Sequence, residues 1–93
     1  MRRPNVTSRA YRLVVTRTAR KEIQGLPLKH RRQVEETLDR LLDMLNRGRR
    51  PQDMRALQGL RGAYRIDTGE YRVLFILDQN ERLVVVGRVG NRK

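Results

Sequence analysis

Arginines punctuate the last third of the chain. From Tyr64 to Lys93 they include Arg65, Arg72, Arg88 and Arg92 in a largely apolar stretch, with Arg61 just ahead and Tyr64 and Tyr71 interleaved. A guanidinium is a planar, permanently charged fork that matches phosphate oxygens, and several together stabilise charge building on a phosphodiester during transfer. Tyrosine adds a flat face on which a base can stack. If the attacking group is the 2′-hydroxyl of an RNA, the protein need not supply a nucleophile. It has to splay and orient the strand so that hydroxyl and phosphate line up. Arginine, with a pKa above about 12, is a poor proton shuttle, so acid and base must come from elsewhere.

Other chemistries find little support. The chain has no cysteine, which excludes disulfides and thiolate zinc sites and fits a reducing, cytoplasmic setting. It shows no glycine-rich phosphate loop, no metal-ligand spacing, and no serine or cysteine paired with a base, so neither metal nor cofactor is expected. His30, the sole histidine, stands among Lys29, Arg31 and Arg32 at the start of a helical pattern and reads as a surface residue. Asp53, Asp67 and Glu70 read as isolated carboxylates in turns or at strand ends, none distinguished as a general base.

The charge points the same way. Lysine and arginine total 22 against 10 acidic residues, a formal net charge of +12 over 93 residues. Only Lys21, Lys29 and Lys93 are lysines, and solubility alone would be served equally well by lysine. A polyanionic partner follows. No run has the length of a membrane span and the first residues lack the apolar core of a signal peptide, so no membrane partner is expected.

The elements that must carry these arginines are legible in outline. Residues 1–10 are basic and without periodicity, which predicts a flexible arm ahead of one domain over 11–93. Tyr11–Thr16 alternates Tyr11, Leu13 and Val15 on one face and predicts a first strand. Thr16 can cap a short helix carrying Ala19, Ile23 and Leu26, which Gly25 and Pro27 end. Val34, Leu38, Leu41, Leu42 and Leu45 stripe a longer helix closed by Asn46-Arg47-Gly48, its other face charged. Met54–Leu57 suggests a short turn. Three apolar runs, Tyr64–Asp67, Tyr71–Asp78 and Arg82–Val89, are separated by turn formers and predict an antiparallel meander. In the last run Leu83, Val85 and Val89 are expected on one face, opposite Val84, Val86 and Arg88. The expected fold is α+β, a two-helix hairpin packed on a mainly antiparallel four-stranded sheet, whose other face forms a basic surface.

Leu57-Gln58-Gly59-Leu60-Arg61-Gly62-Ala63-Tyr64-Arg65-Ile66, then Gly69-Glu70-Tyr71-Arg72-Val73-Leu74-Phe75 and Val86-Gly87-Arg88-Val89-Gly90-Asn91-Arg92, resembles the RelE/ParE superfamily of toxins from type II toxin–antitoxin modules. The resemblance spans nearly the whole chain and sits closest to the RelE branch. It implies a metal-independent endoribonuclease that cuts mRNA on the ribosome by 2′-hydroxyl attack and so inhibits translation. Arg65, Arg72 and Arg92 then take the catalytic places, with Arg61, Tyr64, Tyr71, Arg88 and Lys93 as RNA-binding residues. It also implies a cognate antitoxin, acidic and partly disordered when free. Three departures stand out: Asp67 replaces a family lysine, Asn91 stands where many members carry a basic or histidine side chain, and no counterpart of the family's late tyrosine follows Arg92. The ParE branch shares the scaffold and poisons DNA gyrase, so gyrase is the alternative target, and a non-cleaving RNA- or ribosome-binding module is a third reading.

Overall fold

The computed structural model describes residues 10–92, so the expected arm, apart from Ala10, and Lys93 lie outside the described residues. The order is β1 (Arg12–Val15), α1 (Arg17–Gln24), α2 (Leu28–Asn46), β2 (Arg55–Ala56), β3 (Ala63–Thr68), β4 (Tyr71–Asp78) and β5 (Leu83–Asn91). The strands form one sheet in the order β1-β5-β4-β3-β2, with β1 parallel to β5 and the other neighbours antiparallel. The α+β class is as expected, with five strands in place of four. The fifth is β2, part of the segment read as a turn, where Arg55 and Ala56 pair with Arg65 and Tyr64. Two residues are too few to show a period in sequence; their extended pairing is dictated by the free edge of β3.

Local chemistry accounts for the helices. Thr16 holds an extended backbone at the N-cap of α1, and its Oγ1 accepts the Ala19 N–H at 3.2 Å, satisfying one of the orphan donors of the first turn. Pro27, with no N–H to lose, stands at the start of α2. The helix ends at Asn46 with Arg47 as its C-cap, and Gly48 follows with a φ of +76°, a conformation that a Cβ would disfavour. Val34, Leu38, Leu41 and Leu45 are buried, whereas Lys29, Arg32, Glu35, Glu36, Asp39, Arg40 and Asp43 are all exposed. The two faces of the helix thus match its sequence stripe.

That stripe and Ala19 pack on Ile66, Val73, Phe75, Leu77, Val84, Val86 and Val89 of the sheet. Tyr11, Leu13, Val15, Ile23 and Leu26 close the margins. Burying each large side chain removes it from water at roughly 1.5–3 kcal/mol, which is what holds the hairpin to the sheet.

The alternation expected in β5 is corrected by one residue. Leu74 pairs with Arg88 and Phe75 with Val86, so Gly87 is an extra residue on β5, a β-bulge. An inserted residue inverts the face of everything beyond it. Val84, Val86 and Val89 therefore share the core side, and Leu83, Val85 and Arg88 share the other. Without the bulge, Val89 would face solvent and Arg88 would be driven into the core.

Candidate nucleic-acid interface

Directly paired residues on neighbouring strands stand on the same face, so the register fixes what the helix-free side of the sheet presents. Crossing from β1 to β3, one row reads Val14, Val85, Ile76 and Ala63. The next, from β5 to β2, reads Arg88, Leu74, Arg65 and Arg55. The row after that reads Gly90, Arg72 and Asp67. An apolar strip with Val14 and Ile76 substantially exposed is thereby bordered by a band of arginines.

Asp67 organises that band. Its carboxylate accepts from Arg72 Nε at 3.0 Å and lies 3.5 Å from Arg92 Nε and 3.9 Å from an Arg65 terminal nitrogen. Far from being isolated, it gathers the three arginines named as catalytic candidates around one point. The Arg72 hydrogen bond, with the charges of Arg72, Arg92 and Arg65, outweighs partial burial and holds its carboxyl below the ordinary aspartate value of 3.8. Asp67 is therefore anionic at neutral pH and committed to the guanidiniums, a poor position from which to take a proton. The carboxylate thereby braces arginines that would otherwise repel one another.

Arg92 is further fixed by the turn between β3 and β4. It donates from its guanidinium to the Gly69 carbonyl at 3.1 Å and from its backbone to the Glu70 carbonyl at 3.0 Å. Gly69 has a φ of +63°, and a Cβ there would stand 2.8 Å from Gln33 Oε1, so the turn is built for glycine. A cavity of about 580 Å³ is lined by Glu70, Arg72, Asn91 and Arg92, and a smaller one of about 230 Å³ by Arg72, Leu74, Arg88, Val89, Gly90 and Asn91. Gly90 faces open space, leaving the approach to Arg72 and Arg88 clear. Both cavities offer guanidinium donors to an anion.

The remaining candidates lie apart. Arg88 is exposed, but its guanidinium pairs with Glu22 of α1 at 3.0 Å, while the other oxygen of Glu22 accepts the Val89 N–H at 2.7 Å. Tyr64 and Tyr71 pair with Phe75 and Thr68, which puts both on the helix side of the sheet. Tyr64 stacks on Phe75 with ring centres 5.9 Å apart, and its hydroxyl accepts from Arg50 at 3.1 Å. The Tyr71 ring meets His30 edge to face at 4.9 Å. The histidine read as a surface residue is thus half-buried against an aromatic ring, with Nδ1 3.3 Å from Gln33 Oε1. Arg61 is exposed and lines a separate cavity with Arg50, Tyr64, Ile76 and Asp78. Among the described residues no cluster of histidine, cysteine and carboxylates is placed to hold a metal ion, and no helix is long and apolar enough to cross a membrane.

Against this geometry, the family described as the ParE toxin of the type II toxin–antitoxin system, parDE, matches residues 13–93. The chain belongs to the ParE toxin family. Its fold is RelE-like. The isolated RelE toxin of E. coli superposes with a TM-score of 0.74 at 26% identity, covering 90% of this chain and 86% of that one. The RelBE2 toxin–antitoxin complex of Mycobacterium tuberculosis gives 0.72 at 28% identity, covering 89% and 99%. The RelE–RelB complex of Pyrococcus horikoshii gives 0.75 at 25% identity, covering 90% and 97%. No curated protein matches the sequence significantly. Within this toxin family, then, the chain carries its arginine band on the sheet face away from the helix hairpin.

Three contributors to that face escaped sequence reasoning. Glu22 lies 66 residues from Arg88, and no local pattern links them. Asp67 could have been suspected from its place between Arg65 and Arg72, a carboxylate two and five residues from arginines in a predicted hairpin. Arg55 had no signal, because the strand that orients it is only two residues long.

Proposed function

We propose that the chain is a toxin that inhibits translation by cutting mRNA on the ribosome, with the open sheet face as its RNA-binding side. The observation that carries this reading is the convergence of Arg65, Arg72 and Arg92 on one point of that face. Attack by the 2′-oxygen on the adjacent phosphorus forms the new P–O bond, and the P–O5′ bond breaks. The products are a 2′,3′-cyclic phosphate and a 5′-hydroxyl. The proton leaves the 2′-oxygen and another reaches the 5′-oxygen; guanidiniums move neither. What the arginines supply is orientation of the phosphate and fixed positive charge where negative charge accumulates. Such pre-placed donors are each worth about 10²–10³ in rate where they have been removed from other enzymes.

The structures most like this one include RelE toxins bound to RelB antitoxins. By the same likeness, the partner in the cell is a cognate antitoxin with an acidic, amphipathic segment suited to an apolar strip bordered by arginines. Purified toxin added to translating ribosomes should leave codon-spaced breaks in the message, read by primer extension. Intact message at excess toxin would sink the reading.

A second reading has its own support, since the matched family is that of ParE and the carboxylate at the centre of the arginines is unsuited to proton transfer. Acting as a gyrase poison, the toxin would give enzyme-linked breaks in supercoiled DNA that need gyrase and no ribosome. The same preparation run in both assays separates the two targets.

A further inference from the structure

Arg55 stands directly opposite Arg65 on the open face. In such a pair the Cβ atoms lie about 4.5–5.5 Å apart, and like charges so placed destabilise the sheet. Arg65 has a counter-charge in Asp67, although at 3.9 Å the contact is loose and Asp67 is held more closely by Arg72 and Arg92. Arg55 has none: among the described residues no carboxylate lies within ion-pair distance of it, and it is exposed. The nearest acid in sequence, Asp53, is paired with Arg40 at 3.9 Å. The other arginines of the band are each committed, Arg88 to Glu22 and Arg72 and Arg92 to Asp67. One guanidinium of the band is therefore uncompensated, and it sits beside another of the same sign. An anion placed between them would relieve that arrangement.

We propose that Arg55, together with Arg65 at the border of the cluster around Asp67, forms a second phosphate subsite, which grips a backbone phosphate of the RNA next to the scissile one; Arg65, only loosely held by Asp67, reaches both. The strand then crosses the sheet along the row Arg88, Leu74, Arg65 and Arg55, about 14 Å from β5 to β2 at the usual strand spacing. Leu74 and the neighbouring strip of Val85 and Ile76 give the bases an apolar floor. The proposal rests on the RNA reading above and deepens it, naming Arg55 as a residue that holds the substrate beyond the scissile phosphate.

The test uses a fluorescent single-stranded RNA of about ten nucleotides, its binding followed by anisotropy across a salt series for the whole chain. Arg55→Gln, Arg65→Gln, the double variant, Arg72→Gln and Arg20→Gln, an exposed arginine on α1 away from the face, are compared. The Arg55→Gln variant should bind about 5–10-fold more weakly at low salt. Its slope of log affinity against log salt should fall by about 0.7, the value for one phosphate contact to a single strand. The double variant should lose less than the sum of the two single losses, because the two residues share one phosphate.

Relief of the like-charge pair should also leave Arg55→Gln at least as heat-stable as the wild type at low salt, so weak binding cannot be put down to unfolding. Added inorganic phosphate should raise the wild-type Tm more than the Tm of this variant. If Arg55→Gln binds like Arg20→Gln while Arg72→Gln weakens binding, the subsite is wrong and the RNA reading stands. If the wild type itself binds the RNA no better at low salt than at high, both are wrong.

Discussion

The two faces of strand β4 differ by one residue step and by nearly everything else. Val73, Phe75 and Leu77 point under the helix hairpin and are buried at 0%, 2% and 7% exposure. Arg72, Leu74 and Ile76 point the other way, and Ile76 keeps 45% of its surface in water. The first face is saturated: helix, sheet and loop margins close over it. The second is half-finished, an apolar strip with no covering element among the described residues and a band of arginines beside it. A face of that kind implies a partner. The chain thus separates stability from action across the thickness of one sheet, and substitutions on the two sides should separate in the same way.

The sharpest break of that comparison comes from the covered side. Phe75→Ala removes a fully buried ring that also stacks on Tyr64, and should cost about 3–5 kcal/mol, enough to unfold much of a domain this small. Thermal or denaturant unfolding measures it, and a loss below about 1 kcal/mol would mean that the covered face is not the core. Gly69→Ala should cost about 1–2 kcal/mol, from the left-handed backbone and the crowding at Gln33. It should also loosen Arg92, which donates to the Gly69 carbonyl.

The brace at Asp67 predicts a pH signature. A carboxyl whose folded pKa is depressed contributes stability that is fully present above its unfolded value near 3.8 and is lost as pH falls through the lower folded value. Stability of the wild type should therefore decline more steeply below about pH 4 than that of Asp67→Asn. Parallel curves for the two proteins would show that the ion pairs do not hold the arginines. The smallest effect belongs to Ile76→Ala, on β4 beside Phe75 but on the open side. It should change stability by no more than about 1 kcal/mol, since no helix or loop among the described residues packs over this face and the side chain is already 45% exposed.

Much of this division was legible in the residues. The stripe of α2, the Thr16 cap and the alternation Val73, Phe75, Leu77 are local and periodic, so the hairpin, the meander and the core could be read directly. What resisted reading is what depends on contacts distant in sequence. Gly87 as a bulge is decided by the pairing of Arg88 with Leu74 and of Val86 with Phe75, and it turns Val89 inward and Arg88 outward. Arg88 meets Glu22 only because α1 lies along the end of β5. The tyrosines marked for base stacking lie on the helix side because their pairing with Phe75 and Thr68 puts them there. Arg65, Arg72 and Arg92 could be picked out by type and spacing; that an aspartate draws them together could not, since their approach depends on the hairpin register and the return of β5.

The central claim is that the arginine face carries the toxic action while the covered face carries the fold, and Arg72→Ala tests it most directly. Cleavage of mRNA on purified translating ribosomes, measured alongside ribosome affinity and thermal stability, should fall by about 10²–10³-fold in the variant. Affinity and Tm should change little. A variant that cuts at the wild-type rate, or that fails only because it unfolds, would contradict the account.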